Sequence, residues 1–187
     1  MKVKRILAVL ATFALMFSMI PEKASAQWSL GASYEIRDED PQNGFGVRLE
    51  REILNKIPVV NFKLRGHFSY FSEDNYVGEN QATYGQIENY DYGLAAVGGI
   101  PLGLLSPYVG TGLGSTTTDL QNPEGAFEEG SESSVFWNGF VGAEVSPVPA
   151  LKPFVEYRFQ SAESFDELEN SVSTSNGRLI FGVSLSF

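Results

Sequence analysis

The stretch Val60-Asn61-Phe62-Lys63-Leu64-Arg65-Gly66-His67-Phe68-Ser69-Tyr70 decides the fold. Val60, Phe62, Leu64, Phe68 and Tyr70 fall on one phase of a two-residue period, and Asn61, Lys63, Arg65, His67 and Ser69 fall on the other. Successive side chains of a strand point to opposite faces, so this segment builds a strand with one apolar and one charged face. A helix would scatter the two sets around its circumference.

The same pattern recurs on both sides of it. Alternating runs cover about 27–37, 43–51, 58–71, 87–99, 105–116, 134–146, 151–161 and 176–187. Eight runs of this length suit tilted strands that cross a bilayer. The intervening gaps are 38–42, 52–57, 72–86, 100–104, 117–133, 147–150 and 162–175. Short gaps alternating with longer ones, the first apart, are expected when one end of a barrel carries turns and the other carries loops. Folding the runs up and down gathers Tyr34, Phe45, Phe68, Tyr70, Tyr90, Tyr92, Trp137 and Phe159 near one rim. Trp28, Phe62 and Phe187 gather near the other, as aromatic girdles require.

The N-terminus reads as an export signal. Lys2, Lys4 and Arg5 precede an apolar run from Ile6 to Ile20, and Ala24-Ser25-Ala26 supplies small residues for cleavage. The expected division is a signal peptide over 1–26 and a barrel domain over 27–187. The apolar run is short for a spanning helix, and no later stretch is long and apolar enough for one. The chain has no Cys, so no disulfide scaffold supports it.

A soluble exported barrel would turn its apolar face inward. Here the opposite face carries Glu35, Arg48, Glu50, Lys63, Arg65, His67, Asp91, Glu144, Glu156, Arg158 and Arg178. A narrow interior can hold paired ions, whereas a wide apolar exterior needs lipid. The fold expected is therefore all-β, an eight-stranded antiparallel up-and-down transmembrane β-barrel. The inward residues are expected to form a polar network that plugs the lumen, because eight strands leave room only for side chains. A simple 72–86 loop would also bring His67 near Asp91, as a titratable pair that could tune a gate.

Three stretches carry a family resemblance. They are Pro107-Tyr108-Val109-Gly110-Thr111-Gly112-Leu113-Gly114, the hairpin from Val141-Gly142-Ala143-Glu144 to Pro153-Phe154-Val155-Glu156-Tyr157-Arg158-Phe159, and the closing Arg178–Phe187. In this order they resemble the small eight-stranded outer-membrane barrels of the OmpA transmembrane-domain, OmpX and OmpW kind. That resemblance implies residence in the cell outer membrane among its lipids, a monomer, and a terminal Phe187 read by the barrel-assembly machinery. His67-Phe68-Ser69 resembles the His-x-Ser of outer-membrane lipid A deacylases, but Tyr70 stands where that pattern has Asn.

Charge directs the search for function. Residues 27–187 hold 9 Lys and Arg against 22 Asp and Glu. Sixteen of the acids fall in or beside the gaps at the loop end, and those gaps contain no base. Nucleic acid is excluded as a partner by sign. Asp38, Asp40, Asp119, Glu128, Glu129, Asp166 and Glu167 are candidate cation-binding loop residues, since hard divalent ions favour carboxylate oxygens. No fixed metal-ligand motif, phosphate loop or catalytic triad is present, so neither an enzyme nor a bound cofactor is expected. The reading is a structural or surface-interaction barrel acting through acidic loops. A narrow small-solute channel is the alternative, and a lipid-modifying enzyme the lesser one.

Overall fold

The computed structural model describes residues 28–38, 40–54, 60–77, 83–121, 130–148, 150–162 and 176–187. The expected signal peptide over 1–26 lies outside the described residues, as do Glu128, Glu129, Asp166 and Glu167.

Eight strands run in order: β1 (Trp28–Arg37), β2 (Asn43–Leu54), β3 (Asn61–Val77), β4 (Thr83–Gly99), β5 (Leu105–Gln121), β6 (Gly130–Val145), β7 (Leu151–Ala162) and β8 (Asn176–Ser186). Each pairs antiparallel with its chain neighbour, and β1 closes the ring on β8. Closure removes the sheet edges along the shared ladders. The seam is completed at the chain ends, where Trp28 and Phe187 exchange backbone hydrogen bonds at 3.2 and 2.9 Å.

Sidedness follows from the period-two pattern. Leu64, Phe68, Tyr92, Leu94, Leu113, Trp137, Val141 and Phe181 are exposed on the outside. Arg65, Arg178, Glu50, Glu156 and Asp91 are fully buried inside. The largest enclosed side chains are thus charged ones, the reverse of a water-soluble domain.

A second sequence device fills the interior. Five inward aromatic rings each face a glycine directly across the ladder: Phe71 opposite Gly44, Tyr108 opposite Gly142, Phe136 opposite Gly114, Phe140 opposite Gly110 and Phe154 opposite Gly182. A Cβ added at any of these glycines would run into the facing ring. The glycines are therefore the floor on which the rings lie, not points of chain flexibility.

Two expectations need correction. The gaps 72–86 and 117–133 are mostly strand: β3 continues to Val77, β4 starts at Thr83, β5 runs to Gln121 and β6 starts at Gly130. Short and long connections therefore do not alternate cleanly. Glu73, Asp74, Asp119 and Glu132 lie on strands, not in loops, and Glu88 lies on β4 as the run at 87–99 implies. The outward phase turns polar there, at Ser72, Glu88, Thr117, Asp119, Ser131 and Ser133, so hydropathy alternation is lost, yet β-formers such as Thr116, Thr117 and Thr118 keep the ladder going.

Gly114→Val should force Phe136 out of its place and destabilise the barrel by about 1–3 kcal/mol, the usual cost of overpacking. Urea unfolding in detergent micelles measures it. Gly139, with only one side-chain carbon within 4 Å of an added Cβ, is the matched control, and its Ala variant should unfold near the parent midpoint.

Candidate functional site: the polar interior and the acidic rim

The inward residues form two networks stacked along the barrel. The first lies toward the chain termini. Arg65 is its hub, with Nε 2.7 Å from Glu50 Oε1 and Nη1 2.5 Å from Glu156 Oε2. Lys63 Nζ bridges Glu50 and Glu144 at 3.1 Å each. Arg48 reaches Glu144 at 2.8 Å and donates to Ser184 Oγ at 3.1 Å. Arg158 pairs with Glu156 at 2.7 Å, and the Tyr108 hydroxyl donates to Glu156 at 2.9 Å.

The second network lies toward the loop end. Arg178 Nη2 sits 2.8 Å from Asp91 and donates to Gln160 Oε1 at 3.0 Å. Arg37 pairs with the same Asp91 oxygen at 2.7 Å and with Asn89 Oδ1 at 2.5 Å. Glu35 accepts from Ser69 at 2.9 Å and pairs more loosely with Arg178 at 3.4 Å.

No hydrogen bond or ion pair joins the two networks among the described residues. The seam between them holds His67 and Asn138. Neither ring nitrogen of His67 and neither side-chain amide atom of Asn138 has a hydrogen-bond partner. A small cavity lined by Ser33, Glu35, Val47, Arg48, His67, Phe154, Glu156, Arg158 and Ile180 opens there.

This geometry settles where the sequence-selected residues go. Glu35, Arg48, Glu50, Arg65, His67, Asp91, Glu144, Glu156, Arg158 and Arg178 are buried, and Lys63 is half-buried. The expected His67–Asp91 pair does not form. His67 stands opposite Gly93, while Asp91 stands opposite Ser69 and is taken by Arg37 and Arg178. Nor do His67 and Ser69 act together, because the Ser69 hydroxyl is spent on Glu35.

Sequence reasoning missed the rings that hold the cations. Arg37 lies 3.4 Å over Phe71, Arg48 lies 3.3 Å over Phe154, and Arg65 lies 4.5 Å over Phe140. Stacking on an aromatic face suits a desolvated guanidinium. The signal was available: all three rings fall on the charged phase of the alternation.

Beyond the aromatic rim the picture changes. The outward side chains of the long strands become Ser72, Gln86, Glu88, Thr117, Asp119, Ser131 and Ser133. Six residues of β3, Ser72–Val77, continue past Phe71, the last β3 residue that pairs with β2. At about 3.3 Å per residue and a tilt near 40°, they rise about 15 Å. Glu88 accepts 2.8 Å hydrogen bonds from the hydroxyls of Tyr70 and Tyr90, whose rings lie 5.1 Å apart. Asp119 stands opposite Glu88 across the β4–β5 ladder.

Of the candidate cation ligands, Glu128, Glu129, Asp166 and Glu167 lie outside the described residues, and the described Asp38 and Asp119 are not brought together. Asp38 Oδ1 accepts from the Gly177 backbone at 2.8 Å, at the β1–β8 seam, whereas Asp119 is on β5, on the far side of the ring. Among the described residues no group of three metal-ligating side chains gathers.

The outer membrane protein beta-barrel domain family matches residues 7–187. Comparison with curated proteins gave no match. Three similar solved structures share the fold at low identity. The Neisserial surface protein A structure is 16% identical, covers 86% of this chain and 96% of its own, and has a TM-score of 0.58. The N-terminal β-barrel domain of Pseudomonas aeruginosa OprF is 14% identical over the same shares, with a TM-score of 0.57. Ail, the attachment invasion locus protein of Yersinia pestis, in complex with the heparin analogue sucrose octasulfate, is 16% identical over the same shares, with a TM-score of 0.55.

Arg65→Met removes the hub cation between buried Glu50 and Glu156, leaving Glu50 to Lys63 and Glu156 to Arg158, and should cost about 3 kcal/mol, the low end of the loss when one member of a buried pair goes. Urea unfolding followed by tryptophan fluorescence reports it. Replacing Lys63, which keeps partial solvent contact, with Met should cost clearly less.

Proposed function

Because this chain belongs to the outer membrane protein beta-barrel domain family, and so resides in the outer membrane, we propose that it is a surface-contact barrel with a plugged lumen. The leader is removed after Ala26, both chain ends lie in the periplasm, and the long ends of β3–β6 project outside the cell. Phe187, exposed at the end of the last strand, is the residue the assembly machinery reads.

One observation carries the reading. β3, β4, β5 and β6 are 16–17 residues long, against 10–12 for the other four, and beyond the aromatic rim their outward positions include Ser72, Gln86, Glu88, Thr117, Asp119, Ser131 and Ser133. A sheet that outlasts the lipid on one side of the ring is a platform for a partner. Its charge defines that partner. Among the described residues every Lys and Arg is inside the lumen or toward the end that carries the termini, while Glu88, Asp119 and Glu132 lie on the projecting sheet. The partner is cationic, or is bridged by divalent cations. In this the chain departs from what the Ail structure holds: an octasulfate is a polyanion, and the rim of this barrel repels one.

The small-solute channel is the second reading, and the cavity at the His67 seam favours it. Two networks without a tie could part there, whereas a continuous plug could not.

Barrels reconstituted in planar bilayers should show no conductance steps above the lipid baseline; steps would support the channel instead. Barrels in nanodiscs should bind a lysine-rich peptide, with affinity falling as salt rises, and should not bind sucrose octasulfate. Glu88→Gln with Asp119→Asn should weaken peptide binding several-fold. Binding of the polyanion as strong as that of the peptide would overturn the assignment.

A further inference from the structure

The lipid-facing surface carries one built cation, and we propose that it is a phosphate anchor for an anionic phospholipid. Arg51 lies on the outward phase of β2 between exposed Leu49 and Ile53, and pairs across the ladder with Trp28 on one side and Leu64 on the other. It is the sole Lys or Arg on the outward face among the described residues. Arg37, Arg48, Lys63, Arg65, Arg158 and Arg178 all enter the two internal networks, and Lys152 stands on the inward phase opposite Ser184. The outward acids Glu88 and Asp119 are at the other end of the barrel. No carboxylate among the described residues lies within ion-pair reach of Arg51.

What holds Arg51 is Trp28, whose ring centre lies 5.1 Å from the guanidinium carbon. An indole face orients a guanidinium without neutralising it. Trp28 also fixes the depth, since it belongs with Phe62 and Phe187 to the aromatic girdle at the chain-terminus rim, and tryptophan prefers the headgroup level. A guanidinium fixed at headgroup depth, with its fork of donors uncommitted, matches the planar pairing that arginine makes with phosphate oxygens. Leu49, Ile53 and Leu64 around it supply an apolar bed for the acyl chains of the same lipid.

The ligand is therefore the phosphate of a lipid with net negative charge, in the leaflet at the terminus end of the barrel. The reading under Proposed function makes that leaflet the periplasmic one. The anchor does not depend on the surface-contact role, because it sits at the opposite rim and is tested without any partner.

Trp28 is also the reporter. In a Trp137→Phe background it is the only tryptophan of residues 27–187. Barrels would be reconstituted in phosphatidylcholine vesicles containing a small fraction of brominated phosphatidylglycerol or, separately, brominated phosphatidylcholine. Quenching of Trp28 then gives the relative affinity of the two lipids for the site. A preference of about fivefold for phosphatidylglycerol is expected, the ratio that one basic residue near an anionic surface supplies. Arg51→Gln should bring it to about one, and Lys152→Gln should leave it unchanged. Inorganic phosphate in excess should not relieve the quenching, since the chains contribute to the binding. Heat-modifiable migration on gels checks that each variant is folded. Equal quenching by the two lipids in the parent, an undiminished preference in Arg51→Gln, or loss of the preference in Lys152→Gln would each overturn the anchor, as would release by free phosphate.

Discussion

Backbone pairing in lipid has one solution for strands, and everything else in this barrel follows from it. Hydrocarbon cannot hydrogen-bond a peptide group, so the sheet must close, and β1 must meet β8. With eight strands the ring is narrow, and its interior must be filled by side chains. The outside has to be apolar. The alternate positions of the same strands point inward, and there the chain places its ions. Ions enclosed in so small a space must find partners, because an unpaired buried charge costs several kcal/mol. Five carboxylates and six cations occupy the two networks, and every carboxylate has at least one cation within 4 Å.

The rings opposite glycines solve a related problem. Charged side chains alone would leave gaps between their flat heads. Phe71, Phe140 and Phe154 lie on the wall and give Arg37, Arg65 and Arg48 a surface to stack on. Glycine across the ladder makes the room. The weak place is the level of His67 and Asn138, where neither network extends a hydrogen bond. Stability and any capacity to open are thus both decided in the interior, whereas contact with other molecules is left to the two rims.

The strands that cross the membrane were legible in the sequence because one face had to be apolar. The run from Val60 to Tyr70 gave both the element and its sidedness, and the eleven charged or titratable positions selected from alternation all point inward. What alternation could not reveal is of two kinds. Above the aromatic rim the outward phase turns polar at Ser72, Glu88, Thr117 and Asp119, so Ser72–Val77 and Thr117–Gln121 read as loop although they are ladder. Inside, alternation tells which residues share the lumen but not which of them meet. A linear pattern has no information about the stagger between strands, and the stagger gives Asp91 to Arg37 and Arg178 and leaves His67 without it.

Leu64 and Phe68 face lipid, while Ser72, on the same face of the same strand, stands above it. The chain has no Cys, so single Cys substitutions at these three positions can be spin-labelled without background. Accessibility to oxygen, which concentrates in hydrocarbon, against a water-soluble nickel chelate gives the environment of each. High oxygen and low nickel access are expected at Leu64 and Phe68, and the reverse at Ser72. Nickel access at Leu64 and Phe68 equal to that at Ser72 would contradict this placement.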